Sequence, residues 1–200
     1  DAIPDEELEQ LSRWGFTALW LIGIWQRSDA SRKLKHRTGN PDAQASAYSL
    51  HDYVIADELG GDEALDRFRE ACLGHGIRLS ADMVPNHTGI ASKWVTEHPD
   101  WFVQLPDPPY PSYSYSSESL TDDPGLVIQV EDGYYDRSDA AVAFRRLDKR
   151  TGDERFIYHG NDGTGILERH GSAGLHEAGC SGSGYPDHPA CCAPVSHHPI

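Results

Sequence analysis

Two apolar runs on either side of one amphipathic helix constrain this chain more than any other feature. FTALWLIGIW (residues 16–25) and IRLSADMV (77–84) are too continuously apolar for strands with one wet face, so both read as buried strands. Between them lie a polar stretch, the aromatic segment AYSLHDYVIADELGG, and a helix expected from Asp62 to about Leu73 with Leu65, Phe68 and Cys72 on one face. Strand, long connection, helix, strand is the order of a parallel α/β unit, because parallel neighbours require a crossover. A shorter helix precedes the first run. Pro4 suits its first position, Asp5, Glu6 and Glu7 favour its positive end, Leu8, Leu11 and Trp14 mark one face, and Gly15 stops it. The stretch QRSDASRKLKHRTGNPDAQAS (26–46) reads as a polar, locally basic loop in solvent.

Ligand sites in parallel sheets lie at the carboxyl ends of strands, and PNHTG leaves the second apolar run at such an end. There Asp82, Val84 and Asn86 share a side while the chain stays extended, and His87 projects where it turns. A carboxylate, an amide and an imidazole facing a cleft can orient sugar hydroxyls or hold a hard cation. The same residue types also serve as ordinary loop-capping hydrogen bonders. AYSLHDY adds Tyr48, His51, Asp52 and Tyr53. A tyrosine face is a platform for the C–H side of a sugar ring, although a tyrosine in a loop equally often packs against its neighbours. His51 is expected at the surface or behind the site.

From about Ser92 to Gly165 the texture changes. WFVQLPDPPYPSYSYSSES, rich in proline, serine and tyrosine, is expected to be irregular. LVIQVED, AVAFRRL and ERFIYH read as short strands, with DKRTGD as a hairpin turn. This is an antiparallel insertion emerging from the end of a parallel-sheet strand. Trp94, Trp101, Tyr110, Tyr113 and Tyr115 either line a glycan cleft or pack the insertion; their spacing does not choose.

Charge narrows the partners. With 32 acidic against 17 basic residues the net charge is −15, a surface that repels phosphate backbones and anionic lipid, so a neutral substrate is expected and neither nucleic acid nor membrane. No apolar run approaches the roughly 18 residues of a membrane span. Cys72 is the one cysteine before residue 180, which fits a reducing compartment. The acidic start DAIPDEELEQ has no signal-peptide pattern, and the expected location is the cytoplasm.

GFTALWLIGIW, AYSLHDYVIADELGG and GIRLSADMVPNHTGI, in that order, resemble the alpha-amylase superfamily of glycoside hydrolases. DMVPNH is similar to the family's first conserved region at the end of the third barrel strand, and the insertion after it to the family's domain B. HPDWF and YHGNDGT resemble a bacterial branch of the superfamily, so the likeness extends over about residues 3–165. It implies an α/β fold: an incomplete (β/α)8 TIM barrel with an inserted domain B of irregular loops and short antiparallel strands. Residues 1–91 would be barrel and 92–166 the insertion. By the same resemblance Tyr48 stacks under the sugar at the cleavage subsite, His87 hydrogen-bonds that sugar, and Asp52 supports the subsite. Asp82 is a structural carboxylate beneath it, and Asn86 is the residue that often binds calcium between barrel and domain B. The family's glycine before the tyrosine is Ala47 here.

The resemblance implies a retaining glycoside hydrolase or transglycosylase acting on an alpha-glucan or oligosaccharide. Such enzymes need two carboxyl groups flanking the scissile bond. In this family the nucleophile Asp follows the fourth barrel strand and the acid/base Glu the fifth. Neither strand is recognisable in the sequence, so the chain as written is expected to be inactive. It is also expected to be poorly stable, with open strand edges and an uncovered apolar face.

The ending, GCSGSGYPDHPACCAPVSHHPI, looks at first like a metal site. Adjacent Cys191-Cys192 and His197-His198 fit zinc spacing poorly, and a disulfide would leave an odd cysteine. From Leu167 on there is no Trp, Phe, Lys or Met. Read one base over with synonymous codons freely chosen, LERHGSAGLHE permits WNDTAQLDYM, and CSGSGYPDHPACCAPVSHHPI permits VREAVIQTILHVARRFPIIRF, an amphipathic helix and then a strand. Residues 167–200 are therefore expected to be an out-of-frame tail. The competing class is a non-catalytic carbohydrate- or metal-binding protein in which the Cys/His tail is genuine.

Overall fold

The computed structural model describes residues 3–160 and 164–166, all within one compact unit, Asp1–Leu167. The Cys/His-rich ending, its shifted reading and the Asn161–Gly163 part of YHGNDGT lie outside the described residues.

Helix α1 (Asp5–Arg13) starts after Pro4, carries three acidic residues in its first turn and ends before Gly15, whose φ of +86° no β-carbon tolerates cheaply. Strand β1 (Ala18–Leu21) follows, and Gly23 breaks the apolar run so that Trp25–Arg27 forms a separate strand, β2. β3 (Leu50–Ile55) pairs antiparallel with β2. Helix α3 (Gly61–Gly74) then crosses back, and β4 (Arg78–Ala81) pairs parallel with β1, Ala18 opposite Arg78 through Leu21 opposite Ala81. This is the expected α/β unit. Leu8 of α1, Cys72 of α3 and Ile77 form its core, with Leu11, Leu19, Phe68 and Leu79 packed around them.

Four expectations need correcting. The second apolar run, read as a buried strand, is strand only over Arg78–Ala81, with Arg78, Ser80 and Ala81 exposed and Met83 beyond it 53% exposed. The first apolar run is not one buried strand, and Trp20 is 71% exposed. Beyond its break at Gly23, the reason is that β1 and β4 make a two-stranded sheet whose one face rests on α1 and α3 while Trp20 points from the other. Trp14 leaves the helix face assigned to it and is exposed, because it sits past the last turn as the C-cap. The polar stretch 26–46 is not all loop: Ala30–Arg37 forms helix α2 with Ala30, Ser31 and Leu34 buried. Its basic residues face outward and meet acids from far along the chain, Lys33 Nζ lying 2.7 Å from Asp122 and Arg37 3.5 Å from Glu118.

The insertion is built as the sequence suggests. β5 (His87–Gly89), β6 (Gln104–Leu105), β7 (Leu126–Val130), β8 (Ala143–Asp148), β9 (Glu154–Gly160) and β10 (Thr164–Ile166) form one antiparallel sheet in the order β5-β10-β9-β8-β7, with β6 on β9. DKRTGD is the β8–β9 turn, closed by Gly152 at φ +76°. Helix α4 (Lys93–Glu97) is capped by Ser92, whose Oγ accepts from Val95 N at 3.2 Å, and a single turn, α5 (Gly133–Asp136), follows β7. Buried Arg146 fastens α4 to the sheet by donating to the carbonyls of Val95 (2.9 Å) and Thr96 (3.0 Å) and to Asp153 (2.9 Å). The largest core lies here: Phe102, Leu126, Ile128, Phe144 and Ile157 pack with Ile90 and Val95, and α2 inserts Ala30 and Leu34 into the same cluster. Among the described residues no helix is long and apolar enough to cross a membrane.

Two outcomes follow from this packing. A β-carbon on Gly89 would lie 2.3 Å from Ser28 Cβ and 2.9 Å from Ser49 Oγ, so Gly89→Ala is expected to lower unfolding free energy by about 1–3 kcal/mol in urea titration. His159 is buried beside Tyr134 and Phe144, and burial pushes its imidazole below the ordinary value. The neutral ring is thus the native form, and its stability is complete above the unfolded value of about 6.5 and is lost as pH falls toward the depressed folded one. Urea midpoints should drop between about pH 7.5 and about pH 5.5, and His159→Gln should remove part of that drop.

Candidate sugar-binding site

The residues singled out at the strand ends converge, and one tyrosine does much of the joining. Tyr53 OH donates to Val84 O at 2.7 Å and accepts from Val84 N at 2.8 Å. Those two bonds hold the extended run after β4 against β3, where no strand ladder exists. The Tyr53 ring lies 5.2 Å from Trp25 and 5.6 Å from Trp94, and Leu50, Tyr53 and Val84 form a small core with both tryptophans. Trp25 adds a bond of its own, donating Nε1 to Asp82 O at 2.9 Å.

Two residues beyond Val84, Asn86 Nδ2 approaches His87 Nδ1 at 3.4 Å, and the Tyr48 carbonyl lies close enough to favour the charged imidazole. If Nδ1 accepts from Asn86, the proton sits on Nε2. Burial holds the His87 pKa below its ordinary value, partly offset by that carbonyl, so the ring is neutral near pH 7. His87 does more than project at a turn: it opens β5, opposite Ile166 of β10. Tyr48 is 47% exposed, an open aromatic residue near the imidazole. A neutral imidazole that can exchange hydrogen bonds beside an exposed ring is suited to a polyhydroxylated, uncharged ligand. Ala47 is accommodated because Gly23 lies against it: a β-carbon at 23 would fall 3.0 Å from Ala47 Cβ.

Asp52 is buried, 8% exposed, with Oδ1 accepting from Tyr53 N at 2.9 Å and Oδ2 lying 3.0 Å from Lys93 Nζ. Both of its oxygens thus have partners within the protein. Lys93, from helix α4, carried no signal in the sequence; the partners are 41 residues apart. Asp82 is half-buried, and its Oδ1 is closed off from solvent with no hydrogen-bond partner among the described residues. His51 is half-buried on β3. Trp94 and Trp101 pack in the insertion, and Tyr113 and Tyr115 bond to its main chain, whereas Tyr110 is exposed. No three His, Cys, Asp or Glu side chains among the described residues are placed to hold an ion. Asn86 thus has no cluster of acidic side chains beside it among the described residues.

Known proteins resemble this chain in sequence and fold. An alpha-1,4-glucan:maltose-1-phosphate maltosyltransferase of Cereibacter sphaeroides is 32% identical over 105 residues, 46% of this chain and 17% of the enzyme. Alpha-amylase SusG of Bacteroides thetaiotaomicron is 29% identical over 119 residues, 58% of this chain and 14% of that one. The chain thus spans less than a fifth of these relatives. The solved trehalose-6-phosphate hydrolase of Bacillus licheniformis superposes with a TM-score of 0.52 at 16% identity, covering 87% of this chain and 27% of that chain, a likeness of fold alone. Residues 5–123 match the catalytic domain of alpha amylase, and the chain belongs to the alpha-amylase family.

Proposed function

We propose that this chain is part of a retaining glycoside hydrolase or transglycosylase acting on alpha-glucosidic bonds, with Tyr48 as the sugar platform and His87 as a hydrogen-bonding partner of the same sugar. The observation that carries this reading is that the Tyr53–Val84 bonds bring the segments bearing Tyr48 and His87 together beyond the carboxyl end of β4, paired parallel with β1. The names of the relatives support the substrate class: one takes an alpha-1,4-glucan and maltose-1-phosphate, another is an amylase. On this reading β1 and β4 are two neighbouring strands of a (β/α)8 barrel, the exposed Trp20 face is barrel interior, and β5–β10 belong to domain B.

Chemistry on a glycosidic bond with retention needs a nucleophilic carboxylate and a second carboxyl that gives and then takes a proton, about 5–5.5 Å apart. Asp52 cannot be either, since its carboxylate is committed to Tyr53 and Lys93. The site described here binds and orients, and the reacting carboxylates come from further barrel strands. The 200-residue chain is accordingly expected to release no sugar from maltodextrin; release above a buffer blank would overturn that part.

Binding is the decisive measurement. Maltotriose titrated into the chain should perturb the Tyr48 and His87 NMR signals. Tyr48→Ala should weaken it by about twofold to tenfold, the value of an aromatic contact of roughly 0.5–1.5 kcal/mol. Zinc bound stoichiometrically and lost on replacing Cys191 and Cys192, with no maltotriose response, would favour a metal-binding protein. The coding DNA provides a separate check: a frame one base over from Leu167 should continue open beyond the present end.

A further inference from the structure

One ion pair crosses from the insertion to the strand that carries the sugar platform. Lys93 Nζ stands 3.0 Å from Asp52 Oδ2, with the lysine side chain 48% exposed and the aspartate side chain 9% exposed. Both ends of the pair are extended by their neighbours. On one side Asp52 Oδ1 takes the Tyr53 N–H, and Tyr53 OH grips both backbone groups of Val84. On the other, Trp94 follows Lys93 and sets its ring 5.6 Å from Tyr53 and 5.6 Å from Trp101. Consecutive residues of α4 therefore hold consecutive residues of β3, one by charge and one by ring contact. The path runs on through Val84 to Asn86 and His87, and back along β3 to Tyr48, two residues before that strand begins.

We propose that Lys93 is a positioning residue for the sugar subsite: by pairing with Asp52 it fixes the Tyr53–Val84 connection, and so couples the placement of the insertion to the mutual placement of Tyr48 and His87. An ion pair that only decorated the surface would join two wet groups. Here the acid is buried and its other oxygen is spent on the main chain of the residue that anchors the site. A carboxylate in that position requires a cation, and the insertion brings it. That His87 and Tyr48 hold sugar rests on the reading above; that Lys93 orients them does not.

The experiment separates the two. In the full 200-residue chain the His87 ring signal is assigned with His87→Gln, then followed in Lys93→Met and Lys93→Arg, alongside maltotriose titrations and urea midpoints. Positioning predicts that Lys93→Met moves the His87 signal and weakens maltotriose by about fivefold or more, while Lys93→Arg restores both. A lowered urea midpoint with the His87 signal and maltotriose affinity unchanged would overturn it, since a merely stabilising pair does no more than that. Should Lys93→Met not fold, the Asp52→Asn/Lys93→Met double variant removes both charges. A displaced His87 signal there supports the proposal, and a wild-type signal sinks it. If the unaltered chain shows no response to maltotriose, the sugar reading fails, and the His87 signal alone still decides the role of Lys93.

Discussion

The hydroxyl of Tyr53 takes the part of a missing strand. After β4 ends at Ala81, the chain runs extended through Val84 toward Asn86 and His87 with no β-ladder partner among the described residues. A single side-chain oxygen, donating to Val84 O and accepting from Val84 N, satisfies both main-chain groups at the point where they are buried. Each such bond is worth about 1 kcal/mol net, and leaving either group unmade in a buried place costs more. The Tyr53 ring has to be fixed for the hydroxyl to be in place, and Trp25 and Trp94 fix it from either side. Asn86 and His87 inherit their position from this arrangement.

Stability is distributed unevenly around that point. The parallel pair and its two helices bury a modest core centred on Leu8, Cys72 and Ile77, while Trp20, Ile22 and Phe16 stay exposed. The insertion holds the large core, and it recruits α2 from the connection between β2 and β3 to complete it. In this family member the part that looks like an appendage is the better packed, and the part that defines the fold is the more open.

What could be read from the sequence follows from which signals are local. The α1 and α3 helices announce themselves by period and by end signals at Pro4, Gly15 and Gly60–Gly61, and the insertion strands by their alternation and the DKRTGD turn. Tyr48, Asp52 and His87 are singled out through motif likeness, and the segments that carry them meet through the Tyr53–Val84 bonds. Helix α2 was hidden because its apolar signal is only Ala30 and Leu34 amid basic residues, and because the surface that buries them comes from residues 90–157. An apolar run reports the environment a strand requires rather than the one it has, so Trp20 and Ile22 looked buried. Lys93 had no local mark at all, since a charge in a short helix acquires meaning only when a carboxylate 41 residues earlier arrives beside it.

The pairing of β5 with β10 has a further consequence. Thr164 stands opposite Gly89 and Gly165 opposite Thr88, so the first and last strands of the insertion touch. Its two ends are already closed on each other, and lengthening the chain between them adds little closure entropy, since doubling a loop costs only about 0.6 kcal/mol. Turns that add nothing to the shared core or to the Lys93–Asp52 pair, such as DKRTGD between β8 and β9, can therefore change length while β5 keeps its pairing with β10. Length variation can thus accumulate at such turns without reopening the question of how the sheet beneath them folds.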